Sequence, residues 1–409
     1  MFRKFAWFLI GGLVLGLTAC PQFNLPPNKT PLAQRVEAEG LSIGSGTYFS
    51  TGDLLVAQSL SGNILSFDPN TGRITPFATP IPEHTDPVVE FRKDELELYL
   101  WPIHHSFDPP PTEPLYVAVL DARTGNHLRN VTLTAPTELL DAWNPASVAR
   151  KGDRIYIGAL RGQIAQLQET EEGISLAATL TIEEVFEISG NAEDPYEFVV
   201  SKIVPDPASD DLFVLVQSDL GFSGMHHVFR IAPDGTTRWS AARYINPKDI
   251  VLDGERLLYF KPTGAVALDA TSGVEQQQLD ISIGECYVSR FGLKPVKYDR
   301  EEGLIYAPHG VLETQPGYHW RWAVTDRLNL PVTVCDWQPA VLDGVAYFGG
   351  NRALLAVDIE SGEPLSLARS NHMSEVRLGS PAFAVGGYVV VPQQEGYRMF
   401  FTVYRPVQE

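Results

Sequence analysis

Leu54-Leu55-Val56-Ala57 is followed by Ser61-Gly62-Asn63-Ile64-Leu65-Ser66-Phe67-Asp68-Pro69-Asn70-Thr71-Gly72, and this phrase returns along the chain. Leu115-Tyr116-Val117-Ala118-Val119-Leu120 runs into Asp121-Ala122-Arg123-Thr124-Gly125, and Ala265-Val266-Ala267-Leu268 into Asp269-Ala270-Thr271-Ser272-Gly273. Ala353-Leu354-Leu355-Ala356-Val357 meets Asp358-Ile359-Glu360-Ser361-Gly362, and looser copies end at Gly173 and at Asp234-Gly235. Each copy reads as a strand, a turn, a second strand and an Asp-x-x-x-Gly hairpin. In such a hairpin the Asp side chain bonds nearby backbone and Gly supplies a positive φ. The β-branched and alternating residues on either side suit pleated, half-buried ribbons.

The gap between Asp269 and Asp358 is long enough to hold a degenerate copy, placed at Gly303-Leu304-Ile305-Tyr306-Ala307 and ending near Trp320-Arg321-Trp322-Ala323-Val324. A unit of about four strands recurring every 40 to 50 residues or so is the signature of propeller blades. Asn144-Pro145-Ala146, Gln338-Pro339-Ala340 and Ser380-Pro381-Ala382 each precede an apolar strand. Proline is tolerated there because its missing N–H costs least at a strand start. On these phrases the chain resembles the pyrroloquinoline-quinone-like (PQQ-like) β-propeller repeat over most of residues 45–405. The Trp that closes that family's repeat is best matched by Trp239.

The expectation is an all-β chain forming a single β-propeller of four-stranded blades. Seven blades are placed near residues 46–80, 86–135, 144–182, 197–240, 246–281, 289–326 and 338–368. Residues 380–404 yield about three strands, and a strand within 33–43 would complete an eighth blade and close the ring. Eight blades are preferred, seven are the alternative, and a pair of β-sandwiches is the competing architecture.

Ahead of the repeats, Arg3 and Lys4 precede an apolar run from Phe5 to Leu17, which is a signal-peptide layout. The run ends in Leu17-Thr18-Ala19-Cys20, which resembles the lipobox of bacterial lipoproteins. The resemblance implies cleavage before Cys20 and a lipid on its thiol; the alternative is an uncleaved N-terminal anchor. Prolines 21, 26, 27 and 31 then mark an extended, unpacked spacer. The domain reading is a signal peptide over 1–19, a lipid-anchored Pro-rich linker over 20–32 and the propeller over 33–409.

With 44% hydrophobic and 10% aromatic residues the chain can bury a substantial core. Fifty acidic against 31 basic residues give net −19, which excludes nucleic acid as a natural partner, since phosphate binding needs clustered Lys and Arg. Beyond Cys20 only Cys286 and Cys335 remain; export would permit a disulfide between them, and two free thiols are the alternative.

Three functional classes compete: a membrane-anchored scaffold for envelope proteins, a propeller enzyme, and an envelope sensor or carbohydrate-binding module. Quinoprotein dehydrogenases that share the repeat carry adjacent cysteines over the cofactor and a Glu, Asn and Asp set for calcium. This chain has no adjacent cysteines, and neither a His-x-x-x-His nor a Cys-x-x-Cys spacing. The expectation is therefore a non-enzyme with no cofactor and no metal, held by lipid on the outer side of a membrane. In layout it resembles the lipoprotein propeller subunit of the outer-membrane β-barrel assembly machinery, which implies scaffolding.

Three constellations carry possible chemistry. His104-His105 with Asp108, and His226-His227, hold imidazoles, but neighbours on a strand point to opposite faces. Glu183-Glu184, Glu187 and Glu193-Asp194 form an acidic stretch without the spacing of an EF-hand loop, read as a solvated loop. Tyr318, Trp320, Trp322 and Trp337 could stack on a sugar or a peptide, or pack in a core.

Overall fold

The structure, a computed structural model, describes residues 27–38, 47–58, 64–77, 85–92, 96–104, 116–134, 143–185, 198–218, 226–243, 249–261, 264–280, 297–307, 310–314, 317–323, 339–349, 353–369, 381–395 and 398–407. Among them the strands form six separate four-stranded antiparallel sheets and one eight-stranded sheet. The larger sheet is two four-stranded units touching at their outer strands, His127–Thr134 and Gly173–Thr181, through the parallel pairs Ile174 with Leu133 and Ser175 with Thr134. The described strands thus make eight four-stranded blades.

Blade one runs from strand Thr47–Ser50 to Arg73–Pro76, blade two from Thr85–Arg92 to His127–Thr134, and blade three from Trp143–Lys151 to Gly173–Thr181. Blade four runs from Phe198–Pro205 to Thr237–Arg243, blade five from Asp249–Asp253 to Glu275–Asp280, blade six from Lys297–Asp299 to His319–Ala323, and blade seven from Ala340–Leu342 to Pro364–Arg369. Blade eight takes three strands from the C-terminal end, Phe383–Val385, Tyr388–Glu395 and Arg398–Tyr404. Its outer strand is Leu32–Glu37, with Gln34 opposite Val403 and Val36 opposite Phe401.

Eight apolar clusters close the ring, one between each pair of neighbouring blades. The two middle strands of a blade are therefore buried on both faces, not half-buried as the sequence pattern suggested. In blade two, Leu98 and Leu100 pack toward blade one while Tyr99 and Trp101 pack toward blade three. In blade five, Leu257 and Tyr259 face blade four while Leu258 and Phe260 face blade six. Each such side chain contributes roughly 1.5–3 kcal/mol of apolar transfer. A period-2 strand between two apolar neighbours must be apolar at every position. Outer strands behave differently, and in Gly173–Thr181 exposed residues alternate with half-buried or buried ones over most of its length.

The recurring hairpin has the expected chemistry. Asp269 Oδ1 accepts the backbone N–H of Thr271 at 3.0 Å, the N–H of Ser272 at 2.8 Å and the Ser272 hydroxyl at 2.9 Å. Gly273, at φ 71°, donates its N–H to the Asp269 carbonyl at 2.8 Å. Asp68, Asp121 and Asp358 build the same turn.

The described end of the proline-rich stretch is packed, not free. Lys29 N–H donates to Ser366 Oγ at 2.8 Å, Thr30 and Ser366 hydroxyls lie 2.7 Å apart with Thr30 fully buried, and Leu367 N–H donates to the Pro27 carbonyl at 3.3 Å. The chain therefore lies along the outer strand of blade seven before it enters blade eight. Proline supplies no backbone donor, yet its carbonyl accepts freely, so a Pro-rich segment can dock in this way.

Candidate functional site

Of the residues singled out in the sequence, Cys20, Cys286, Cys335, His105, Asp108, Glu187, Glu193, Asp194 and Trp337 lie outside the described residues. His104 ends strand Glu97–His104, and His226 opens strand His226–Ile231 two blades away. His227 is buried, its ring stacks on Phe229 at 5.8 Å, and its Nε2 has no hydrogen-bond partner among the described residues. Burial pushes its pKa below the ordinary imidazole value, so the ring is held neutral. Among the described residues no three His, Cys, Asp or Glu side chains gather in a way that could hold a metal ion. In the acidic stretch Glu183 is exposed, while Glu184 accepts the Thr237 hydroxyl at 2.6 Å and so fastens blade three to blade four.

The aromatic cluster separates. Leu312 pairs with Trp320 but Val311 pairs with Trp322, so one extra residue, Arg321, bulges between them. Residues two apart on a strand ordinarily share a face, and the bulge sends these two apart. Tyr318 and Trp320 pack toward blade five, while Trp322 packs toward blade seven. No sugar-stacking platform forms from these three. Trp322 instead lies over Gly362, the glycine of the next blade's Asp-x-x-x-Gly turn, and donates its indole N–H to the Ile359 carbonyl at 2.8 Å. Trp239 does the same to blade five, donating to the Ala270 carbonyl at 3.0 Å and covering Gly273. A Trp that caps the turn glycine of the next blade is thus present twice among the described residues. The second copy was hidden because the Asp-x-x-x-Gly turn of its blade, Asp299 to Gly303, joins the first two strands and not the last two.

Sequence reasoning passed over two polar clusters. Between blades five and six a groove of about 400 Å³ is lined by Asp253, Tyr298, Arg300, Glu302, Glu313 and Arg321 among others. One oxygen of Asp253 accepts the Tyr318 hydroxyl at 2.7 Å and the other accepts that of Tyr298. Burial, reinforced by the bond to Asp253, pushes the Tyr298 phenol up to about 12 and raises that of Tyr318 as well. Both phenols are therefore fixed donors at neutral pH. Glu313 binds Arg321, lies 2.9 Å from His319 Nε2, and is held below the usual carboxylate range chiefly by the Arg321 hydrogen bond.

The second cluster joins blades four and five. Arg230 donates from Nε to Asp211 at 2.9 Å, from Nη2 to Asp206 at 3.1 Å and from Nη1 to the Ala270 carbonyl at 3.0 Å. Its guanidinium lies 5.4 Å from the centre of the Phe213 ring. These groups are spread along the chain, and only a motif search for non-local ion pairs could have found them.

One further string, Gly40-Leu41-Ser42-Ile43-Gly44, has the Gly-x-Ser-x-Gly spacing of a nucleophile elbow. That elbow requires a strand turning into a helix. Here the flanking elements are two strands, Leu32–Glu37 and Thr47–Ser50, and the string itself lies outside the described residues.

Ring closure, blade count and inter-blade contacts define the class: among the described residues, a closed eight-bladed β-propeller in which bonds from Asp253, Glu184, Arg230, Trp239 and Trp322 fasten one blade to the next. No family model matches the sequence, and no curated protein matches it. Among solved structures the chain is similar to the computationally designed Ika8 protein, with 13% identity and a TM-score of 0.53 over 93% of this chain and 99% of that one. The match to BamB from Moraxella catarrhalis has 13% identity and a TM-score of 0.47, over 93% and 98% of the two chains. At such identities the likeness to Ika8 speaks to the fold alone.

Proposed function

We propose that this chain is a non-catalytic, lipid-anchored propeller that serves as a protein-interaction scaffold in the cell envelope. The observation that carries the reading is the use made of the polar clusters. Asp253 of blade five holds the hydroxyls of Tyr298 and Tyr318 of blade six, Glu184 after blade three holds that of Thr237 in blade four, and Arg230 of blade four, held by Asp206 and Asp211, reaches the Ala270 carbonyl of blade five. Such a ring is a rigid platform, and rigidity lowers the ordering cost of binding another protein. The lipobox-like Leu17-Thr18-Ala19-Cys20 supports the anchor. The resemblance in layout to the propeller lipoprotein of the outer-membrane assembly machinery makes components of that machinery the first partners to test.

The test is an affinity pull-down of the full-length protein from detergent-solubilised envelopes, beside a Cys20→Ala version. Stoichiometric recovery of outer-membrane assembly components with the parent is the expected result. A partnerless propeller overturns the scaffold reading. A Cys20→Ala chain that still sediments with membranes overturns the anchor.

A further inference from the structure

We infer that the rim between blades seven and eight is the lipid-facing side of the propeller, with Lys29, Leu32 and Arg405 touching the headgroup region of an anionic membrane. The inference rests on the lipid anchor at Cys20 proposed above.

The first argument is reach. Six residues lie between Cys20 and Pro27, and the seven Cα steps of that stretch span at most about 25 Å when fully extended. A compact body of this size is about 54 Å across by the usual scaling of radius of gyration with length. A tether half as long as the body is wide cannot let the far side meet the bilayer. Its protein end is also held, because Pro27, Lys29 and Thr30 are hydrogen-bonded to Ser366 and Leu367 on the outer strand of blade seven.

The second argument is what stands at that point. Arg405 N–H donates to the Pro31 carbonyl at 3.0 Å and Leu32 lies opposite Tyr404, so Lys29, Leu32 and Arg405 are neighbours. Leu32 is 57% exposed, one of three large hydrophobic side chains left open among the described residues. Lys29 and Arg405 are exposed, and neither side chain has an ion-pair partner among the described residues. An apolar side chain flanked by cations is the composition that sits at a lipid interface. In a chain of net −19 the remaining surface is repelled by anionic headgroups, which favours this one rim.

A benzophenone-bearing residue placed at position 32, 128 or 274 of the full-length chain tests the inference. These positions replace Leu32, Leu128 and Val274, the three exposed large hydrophobics. The protein is lipidated in its host, reconstituted into phosphatidylethanolamine–phosphatidylglycerol vesicles and irradiated, and lipid adducts are counted by mass spectrometry. Adduct at position 32 should exceed that at 128 and 274 at least fivefold, and should fall severalfold when Lys29→Glu and Arg405→Glu are added. Equal or absent adduct at position 32, in chains whose N-terminal peptide carries the diacylglyceryl mass, overturns the lipid-facing rim and leaves the anchor standing. An unmodified Cys20 peptide overturns the anchor, and the rim falls with it.

Discussion

Replacing Gly362 by alanine should cost far more stability than the same change at Gly344, although both glycines sit in turns of blade seven at nearly the same φ, 70° and 74°. Each substitution forces an L-residue into the left-handed region, at about 1–2 kcal/mol. At Gly344 an added Cβ meets nothing within 4 Å among the described residues, so the backbone term is the whole cost. At Gly362 that Cβ would stand 2.5 Å from Trp322 Cγ and 2.8 Å from its Cβ and Cδ1, so the indole of blade six must move. Overpacking of this kind adds about 1–3 kcal/mol. Gly362→Ala is therefore expected to cost about 2–5 kcal/mol in all. Trp322→Ala alone removes a buried indole and should cost about 3–5 kcal/mol. In the double variant the indole contacts are gone and only the 2.8 Å approach to the Cβ of residue 322 is left, so Gly362→Ala should cost clearly less there than in the parent. Urea unfolding of the four variants and the parent, followed by far-UV circular dichroism, measures all of these. Equal costs at Gly344 and Gly362, or strict additivity with Trp322→Ala, would refute aromatic-on-glycine docking as a fastening between blades.

Other perturbations follow from the same contacts. Arg230→Ala leaves the shielded carboxylates Asp206 and Asp211 without their cation and should lower stability by about 3 kcal/mol, read as a fall in the urea midpoint. Asp358 is held below the usual carboxylate range, first by the backbone N–H of Ser361 and then by its hydroxyl. Its contribution is complete above the unfolded carboxylate pKa and lost as pH falls through the lower folded value, so Asp358→Asn should flatten the drop of the urea midpoint below about pH 4. His227 is held neutral by burial, so protonation favours unfolding as pH falls below the ordinary imidazole value. His227→Leu should remove that component below about pH 6.5. Tyr298, raised to about 12, stabilises the fold below the ordinary phenol pKa and loses that contribution as pH rises through its folded value. Asp253→Asn should bring its ultraviolet titration to lower pH without restoring the ordinary value, because burial is the larger cause of the shift.

The candidate site was less legible than the fold, and particular residues show why. Trp320 and Trp322 read as one aromatic cluster because they sit two apart, and only the bulge at Arg321 assigns them to different neighbours. Arg230 gives no local hint of its partners, since Asp206 and Asp211 lie in another hairpin and Ala270 in another blade. Glu184 looked like part of a solvated loop, and its bond to Thr237 crosses a blade boundary.

Strands, hairpins and their repetition are local matters, set by two-residue periodicity and by Asp and Gly within five residues of each other. The sequence alone therefore determined the all-β architecture, the four-stranded unit, the preferred count of eight and the need for an N-terminal strand to complete the last blade. Tertiary structure decided which face of each apolar strand belongs to which neighbour, since a run such as Leu257-Leu258-Tyr259-Phe260 is apolar at every position. It also decided that residues 27–31 dock on blade seven, through bonds between Lys29 or Thr30 and Ser366 that span more than three hundred residues of chain. Contacts at that separation exist only once the ring has closed, because the eight apolar interfaces bring the two ends of the chain together.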